Sequence, residues 1–73
     1  MFNPGLRAQL VEIDYTNHRG ERAKRQIIPA RMVWTTSDYH EGEQWFCIAW
    51  DVEKKDDRFF AMTGIHSWTP VAQ

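Results

Sequence analysis

The sequence is poor in features that cross-link, export or anchor a protein. Its only cysteine is Cys47, which excludes a disulfide within the chain and favours a reducing compartment. The first ten residues lack the basic and apolar regions of a secretion signal. The longest uncharged apolar run, "WFCIAW", is far too short to cross a bilayer. We therefore expect a cytoplasmic protein with no membrane partner.

The sequence also lacks an excess of charge of either sign. The formal net charge is -1, so no surplus of positive charge is available to coat a phosphate backbone. Residues 1–36 nevertheless carry six Lys and Arg against three Asp and Glu, whereas residues 37–73 carry three against seven. This asymmetry indicates either a basic patch for an anionic partner or two solvated hairpins of opposite sign, and the second reading is the more common one.

Residue patterns for catalysis or metal binding are sparse. The histidines are His18, His40 and His66, and none stands at metal-ligand spacing from another. Cys47 lies in an apolar run and is predicted to pack as a small hydrophobe. The paired acids lie in charged loops, where a solvated carboxyl group is a poor general acid or base. We therefore expect a non-enzymatic protein with no metal and no cofactor.

Alternating apolar residues predict the first two strands. The segment "LVEIDYT" has a period of two, which is typical of a half-buried strand. Asn17 and Gly20 then suit a tight turn. In residues 21–29 the alternation places Arg25 on the same face as Ile27. Proline cannot donate to a ladder, so Pro29 is expected to end this strand or to kink it.

The remaining segments complete an all-β prediction. Strands are predicted at residues 30–36, 44–52 and 58–65, with a polar loop at 37–43 and a charged loop between the last two. Residues 44–52 are apolar on both faces, which indicates an interior strand. Five short strands joined by tight loops predict a small bent five-stranded barrel of the SH3 or Sm type.

The predicted domain organisation is simple. Residues 1–9 are expected to form an N-terminal arm, with at most one helical turn near Pro4 and Gly5, and residues 10–70 a single domain.

Two arginines are candidates for ligand binding. Arg25 shares a face with an apolar residue and needs a partner, because an unpaired buried charge is costly. Arg58 opens the strand that contains Phe60. If both arginines converge beside Tyr15, Trp45 or Phe60, they form a fork for a phosphate next to a stacking platform for a base. If they point outward, they are ordinary strand-end charges.

The order of three segments resembles the WYL domain family. These are "IDYTNHRGERAKRQIIPARMV", "QWFCIAWDV" and "RFFAMTGI", and the resemblance covers residues 11–66. It implies an Sm-like or SH3-like barrel and a regulatory, ligand-sensing role. Such domains are usually attached to a DNA-binding helix-turn-helix and are linked to transcription regulation and bacterial defence. Their proposed ligands are nucleotides or nucleic acid, held by basic and aromatic residues.

The resemblance also implies a set of ligand-binding residues. Carried over by position, these are Tyr15, Arg25, Trp45, Phe46, Arg58 and Phe60. Phe46 lacks the hydroxyl group of the family's Tyr. Ala61, Thr63 and Gly64 stand where the family usually has a basic residue, an acid and an Arg. We therefore expect a weakened or altered anion site in a stand-alone domain, since 73 residues leave no room for a DNA-binding domain.

Two functions remain open at this point. The first is a non-enzymatic regulatory module that contacts a nucleotide or a single-stranded nucleic acid. The alternative is a protein-protein interaction module, similar to those of phages or mobile elements, that regulates a larger partner and whose ligand site has degraded. Its anchors would be exposed Trp34, Trp50 or Trp68, because tryptophan is enriched at interface hot spots. A sheet edge is a second route to a partner or another copy.

Overall fold

The computed structural model describes residues 9–72. They form the strands β1 (Val11–Thr16), β2 (Arg22–Ser37), β3 (His40–Asp51), β4 (Asp56–Ala61) and β5 (Ile65–Pro70), with a 3-10 turn at Met62–Gly64. No helix in this part of the chain is long and apolar enough to span a membrane. The predicted N-terminal arm and its helical turn fall almost entirely on residues 1–8, outside the described residues.

The five strands form one antiparallel sheet in the order β4-β3-β2-β1-β5. The prediction of an all-β fold is confirmed. The sheet bends toward a barrel but does not close, because the two edge strands β4 and β5 do not pair with each other. The predicted interior position of residues 44–52 is also confirmed, since β3 lies between β2 and β4.

The number of strands was predicted correctly, but not all of their boundaries. Residues 21–29 and 30–36 form one strand, β2, because the register with β3 shifts between Pro29 and Arg31 and so absorbs the proline without ending the strand. The predicted polar loop at 37–43 shrinks to a two-residue turn, since β3 begins at His40. The fifth strand is β5, whose polar sequence has no alternation and which is held by pairing with β1.

The core lies on one face of the sheet. Its buried side chains are Val11, Ile13, Tyr15, Ile27, Cys47, Ala49 and Phe60. Burial of each large apolar side chain stabilises the fold by about 1.5–3 kcal/mol. Desolvation raises the pKa of the Cys47 thiol, which leaves little thiolate at neutral pH. Cys47 therefore packs as a small hydrophobe, as its apolar neighbours predict.

The basic run of β2 is largely matched by acids on β1. Arg22 donates two hydrogen bonds of 2.9 Å to the carboxylate of Asp14, and Lys24 lies 3.7 Å from Glu12. The hydrogen bond from Arg22 holds the pKa of Asp14 below its ordinary value. This face is therefore a solvated, internally neutralised surface rather than a basic patch.

The long hairpin of β2 and β3 extends beyond the rest of the sheet. β1 pairs with β2 only as far as Ile27, and β4 pairs with β3 only from Phe46 onward. The pairs from Trp34 and Trp45 to the turn therefore form a two-stranded ribbon. No third strand within the described residues flanks that ribbon, so its large side chains remain accessible to solvent.

The β3–β4 turn contains a residue in an unfavourable backbone conformation. Lys55 has φ 56, which costs a residue with a Cβ roughly 1 kcal/mol relative to glycine. We expect Lys55→Gly to raise the free energy of unfolding by about 0.5–1 kcal/mol in urea denaturation. Lys54→Gly is the matched control, because Lys54 has no positive φ. An equal gain in both variants would show that the lysine charge, not the backbone, is responsible.

Candidate functional site

A cleft of about 610 Å³ opens between the tip of the β2–β3 hairpin, the β1–β2 turn and strand β4. Clefts of several hundred cubic ångströms are typical of small-molecule sites. The side chains that line it come from four separate parts of the chain, which the fold brings together.

Aromatic and histidine side chains hold the hairpin tip in place. The rings of His18 and Tyr39 stack with centroids 4.1 Å apart and an interplanar angle of 18°. His40 packs edge-on against Phe46 at 5.5 Å, and its Nδ1 lies 2.9 Å from the hydroxyl of Ser37. Phe59 packs on Phe46 from the β4 side at 6.0 Å. These contacts connect the hairpin tip to the β1–β2 turn and form one wall of the cleft.

Tyr15 forms part of the floor and is already engaged with the protein. Its hydroxyl accepts a hydrogen bond of 3.1 Å from the backbone N–H of Ala61. Its ring packs edge-on against Phe60 with centroids 5.0 Å apart. Tyr15 is only 7% exposed, so it shapes the floor of the cleft and presents little of its ring to a ligand.

Arg25 is held at the cleft by a buried carboxylate. Its Nη1 donates a 3.4 Å hydrogen bond to Oδ2 of Asp51, which is completely buried. The Oδ1 of Asp51 accepts the backbone N–H groups of Glu53 at 3.0 Å and Lys54 at 3.1 Å. The Nε of Arg25 is buried and has no hydrogen-bond partner within residues 9–72. The guanidinium is thus fixed in position and incompletely satisfied.

Arg58 is the exposed cation of the cleft. It lies opposite Ala49 in the β3–β4 ladder and forms no ion pair with any residue that the structure describes. Three aspartates, Asp38, Asp56 and Asp57, also line the cleft. Two arginines beside three carboxylates suit a ligand group with a single negative charge and several hydrogen-bond donors better than a polyphosphate.

The structure brings five of the six predicted site residues into this cleft. They are Tyr15, Arg25, Phe46, Arg58 and Phe60. The sixth, Trp45, lies apart from them in a groove with Met32 and Met62.

Sequence reasoning missed His18, Tyr39 and Phe59 as lining residues of the cleft. Their placement depends on the hairpin tip meeting the β1–β2 turn, which no local pattern encodes. An aromatic residue in a polar turn is the one available signal, and Tyr39 is 68% exposed.

Close packing explains the glycine that departs from the WYL pattern. A Cβ built on Gly64 would collide with the backbone oxygen of Thr16 and lie 2.9 Å from Cε1 of Tyr15. No side chain fits there while β5 pairs with β1 in this register. The arginine expected at this position is therefore sterically excluded, and the cation of the site has to come from elsewhere.

The part of the chain that the structure describes contains no group of three or more His, Cys, Asp or Glu side chains arranged to hold a metal ion.

Comparison with known proteins identifies the family. The family model for the WYL domain matches residues 6–70, nearly the whole chain. A search of curated proteins finds no match to the chain. The bent five-stranded sheet and the order of the quoted segments agree with the family match. The chain therefore belongs to the WYL domain family, a family of regulatory ligand-binding domains.

Proposed function

We propose that the protein is a non-enzymatic regulatory module whose cleft binds a nucleotide, or one nucleotide unit of a single-stranded nucleic acid. The observation that carries this proposal is the unpaired Arg58, which shares a cleft with Arg25 and with several aromatic rings. Guanidinium groups recognise phosphate, and aromatic rings stack on bases. Membership of a regulatory ligand-binding family supports the same role.

Each part of the proposed ligand has a partner in the cleft. Arg58 is free to contact the phosphate, and Arg25 is held nearby by its ion pair with Asp51. Phe59 is 56% exposed and Tyr39 68% exposed, so either ring can stack on a base. Carboxylates such as Asp57 accept hydrogen bonds from base amino groups and ribose hydroxyls. The three aspartates favour a monophosphate over a polyphosphate.

Amide NMR of isotopically labelled protein tests the proposal. The probes are the four nucleoside monophosphates and short single strands of DNA and RNA, at about 50 mM and 200 mM salt. We expect localised shifts at Arg58, Phe59 and Tyr39 that weaken as the salt concentration rises. Arg58→Gln is expected to weaken binding by about tenfold or more, with thermal stability unchanged because the side chain is exposed.

Arg31→Gln is the matched control for this experiment. Arg31 is also exposed, lies in β2 and does not line the cleft. An equal loss of binding in both variants would show that Arg58 acts only through general charge attraction. Unchanged binding in Arg58→Gln, or the absence of shifts with every nucleotide, would overturn the proposal.

A further inference from the structure

A second surface lies on the extended hairpin, separate from the cleft. We call it the tryptophan groove and define it by Met32, Trp34, Trp45 and Met62. Trp34 and Trp45 face each other across β2 and β3, with ring centroids 5.5 Å apart and an interplanar angle of 68°. Met32, Trp45 and Met62 line a shallow, almost wholly apolar depression of about 400 Å³. None of these four residues lines the cleft.

The side chains of this groove remain exposed beyond the ring contact that stabilises the hairpin. A cross-strand aromatic pair does stabilise a hairpin, but through the contact between its two rings. Here Trp34 is 54%, Trp45 51% and Met32 44% exposed. Met62 packs against the core and joins this surface to the body of the domain. A contiguous apolar surface of this kind, rich in tryptophan, is typical of a protein-binding site.

The charged residues near the groove indicate what kind of partner it would bind. Between Arg31 and Lys54 the chain has no lysine or arginine, and the strand β3 that carries Trp45 also carries Glu41 and Glu43. Glu43 precedes Trp45 by two positions in β3, which places both on the same side of the strand. Acidic surroundings disfavour a nucleic acid. A twofold contact between copies would set this acidic hairpin against itself, since such contacts use the same surface twice.

We propose that the tryptophan groove docks a basic segment of a partner protein, in which an apolar anchor side chain is flanked by lysine or arginine. The anchor would fill the depression between Trp45 and the two methionines, whose flexible side chains adapt to different shapes. The flanking cations would pair with Glu41 and Glu43 and stack on the exposed indole of Trp34. Charge complementarity and the apolar lining together support this occupant. The groove and the cleft share no lining residue, so the two sites can be tested by separate substitutions.

The test uses the indole N–H signals of the four tryptophans in labelled protein. One probe is a synthetic peptide with a central leucine flanked by lysines, and the other is the same peptide with glutamates in place of the lysines. We expect the lysine peptide to shift the signals of Trp34 and Trp45, and to leave those of Trp50 and Trp68 in place. The effect should weaken with salt. The glutamate peptide should cause no shift.

A charge-reversed variant tests whether the two glutamates determine which peptide binds. Glu41→Lys combined with Glu43→Lys alters two exposed side chains and should leave the fold intact. It is expected to weaken binding of the lysine peptide by about tenfold and to create binding of the glutamate peptide. Glu53→Lys, an exposed acid in the β3–β4 turn, is the control and should change little. Arg58→Gln should leave peptide binding unchanged, which separates this site from the cleft.

Three outcomes would overturn the proposal. The first is that the lysine peptide leaves the Trp34 and Trp45 signals unmoved, or that the glutamate peptide shifts them equally in the native protein. The second is equal loss of binding in Glu53→Lys, which would indicate general attraction to the acidic half of the chain. The third is concentration-dependent broadening of the same signals without peptide, accompanied by a dimer in sedimentation, which would assign the groove to a second copy.

Discussion

Replacement of Gly64 by alanine is expected to lower the free energy of unfolding by about 2–3 kcal/mol, as measured by urea denaturation. The added Cβ would meet the backbone oxygen of Thr16 and the ring of Tyr15. The tyrosine ring can turn only by giving up its packing on Phe60, and the backbone oxygen can move only if β1 shifts away from β5. The cost is therefore one of overpacking at a strand junction.

Gly42→Ala is the matched control for this prediction. A Cβ on Gly42 would meet nothing within 4 Å, so the substitution tests only the φ of 70 at that position. We expect it to cost roughly 1 kcal/mol. If Gly64→Ala lowered the free energy of unfolding no more than Gly42→Ala, the close packing of Gly64 against Tyr15 would be contradicted.

The Gly64 prediction bears directly on the ligand site. Tyr15 lies on the floor of the cleft, and its hydroxyl holds the backbone of Ala61. Gly64→Arg, which would restore the residue usual in the WYL pattern, is therefore expected to disrupt the floor instead of adding a useful charge. A protein with Gly64 has to rely on Arg58 and Arg25 for its positive charge at the cleft.

Replacement of Asp51 by alanine is expected to cost about 3–5 kcal/mol of unfolding free energy. Asp51 is the buried partner of Arg25, and it also accepts two backbone N–H groups that shape the β3–β4 turn. Its removal leaves a largely buried guanidinium without its carboxylate and frees both N–H groups. Since a domain of this size has only a few kcal/mol of net stability, the variant should be close to unfolding at room temperature.

Two variants separate the contributions of Asp51. Asp51→Asn removes the charge but keeps an acceptor for the N–H groups of Glu53 and Lys54. It should therefore lower the free energy of unfolding by less than Asp51→Ala does. Asp14→Ala removes a partly buried carboxylate, but its partner Arg22 is exposed and can turn into solvent, so a smaller loss is expected. Similar losses in Asp14→Ala and Asp51→Ala would mean that Arg25 relaxes into solvent and that the buried pair does not hold the cleft.

Local sequence patterns were sufficient for most of the strands. The alternation in β1 reports which side chains face the core, because successive residues of a strand point to opposite sides. The same rule correctly placed Arg25 on the face of Ile27, since both lie opposite buried residues of β1. The sequence left open whether Pro29 ends the strand or kinks it, and only the partner strand β3 shows that a register shift absorbs the proline.

The sequence predicted most residues of the candidate site, but not how their side chains are arranged and paired in space. The reasoning that Arg25 needs a partner was sound, but the partner is Asp51, 26 positions away in the chain and buried. Its position inside the apolar segment 44–52 distinguishes Asp51 from the acids of the charged loop that follows, but nothing local pairs it with Arg25. The contribution of His18 and Tyr39 likewise depends on two turns meeting in space.

The sequence by itself determined the all-β class, the face that each residue of β1 and early β2 presents, and the membership of the WYL family. These follow from local stereochemistry and from the order of short motifs. The tertiary structure alone decided which charges are paired and which large side chains stay exposed. All four tryptophans are at least 40% exposed, although their hydrophobicity favours burial. The reason is clearest for Trp34 and Trp45, which lie on a ribbon that extends past β1 and β4, where no neighbouring strand in the described residues covers them.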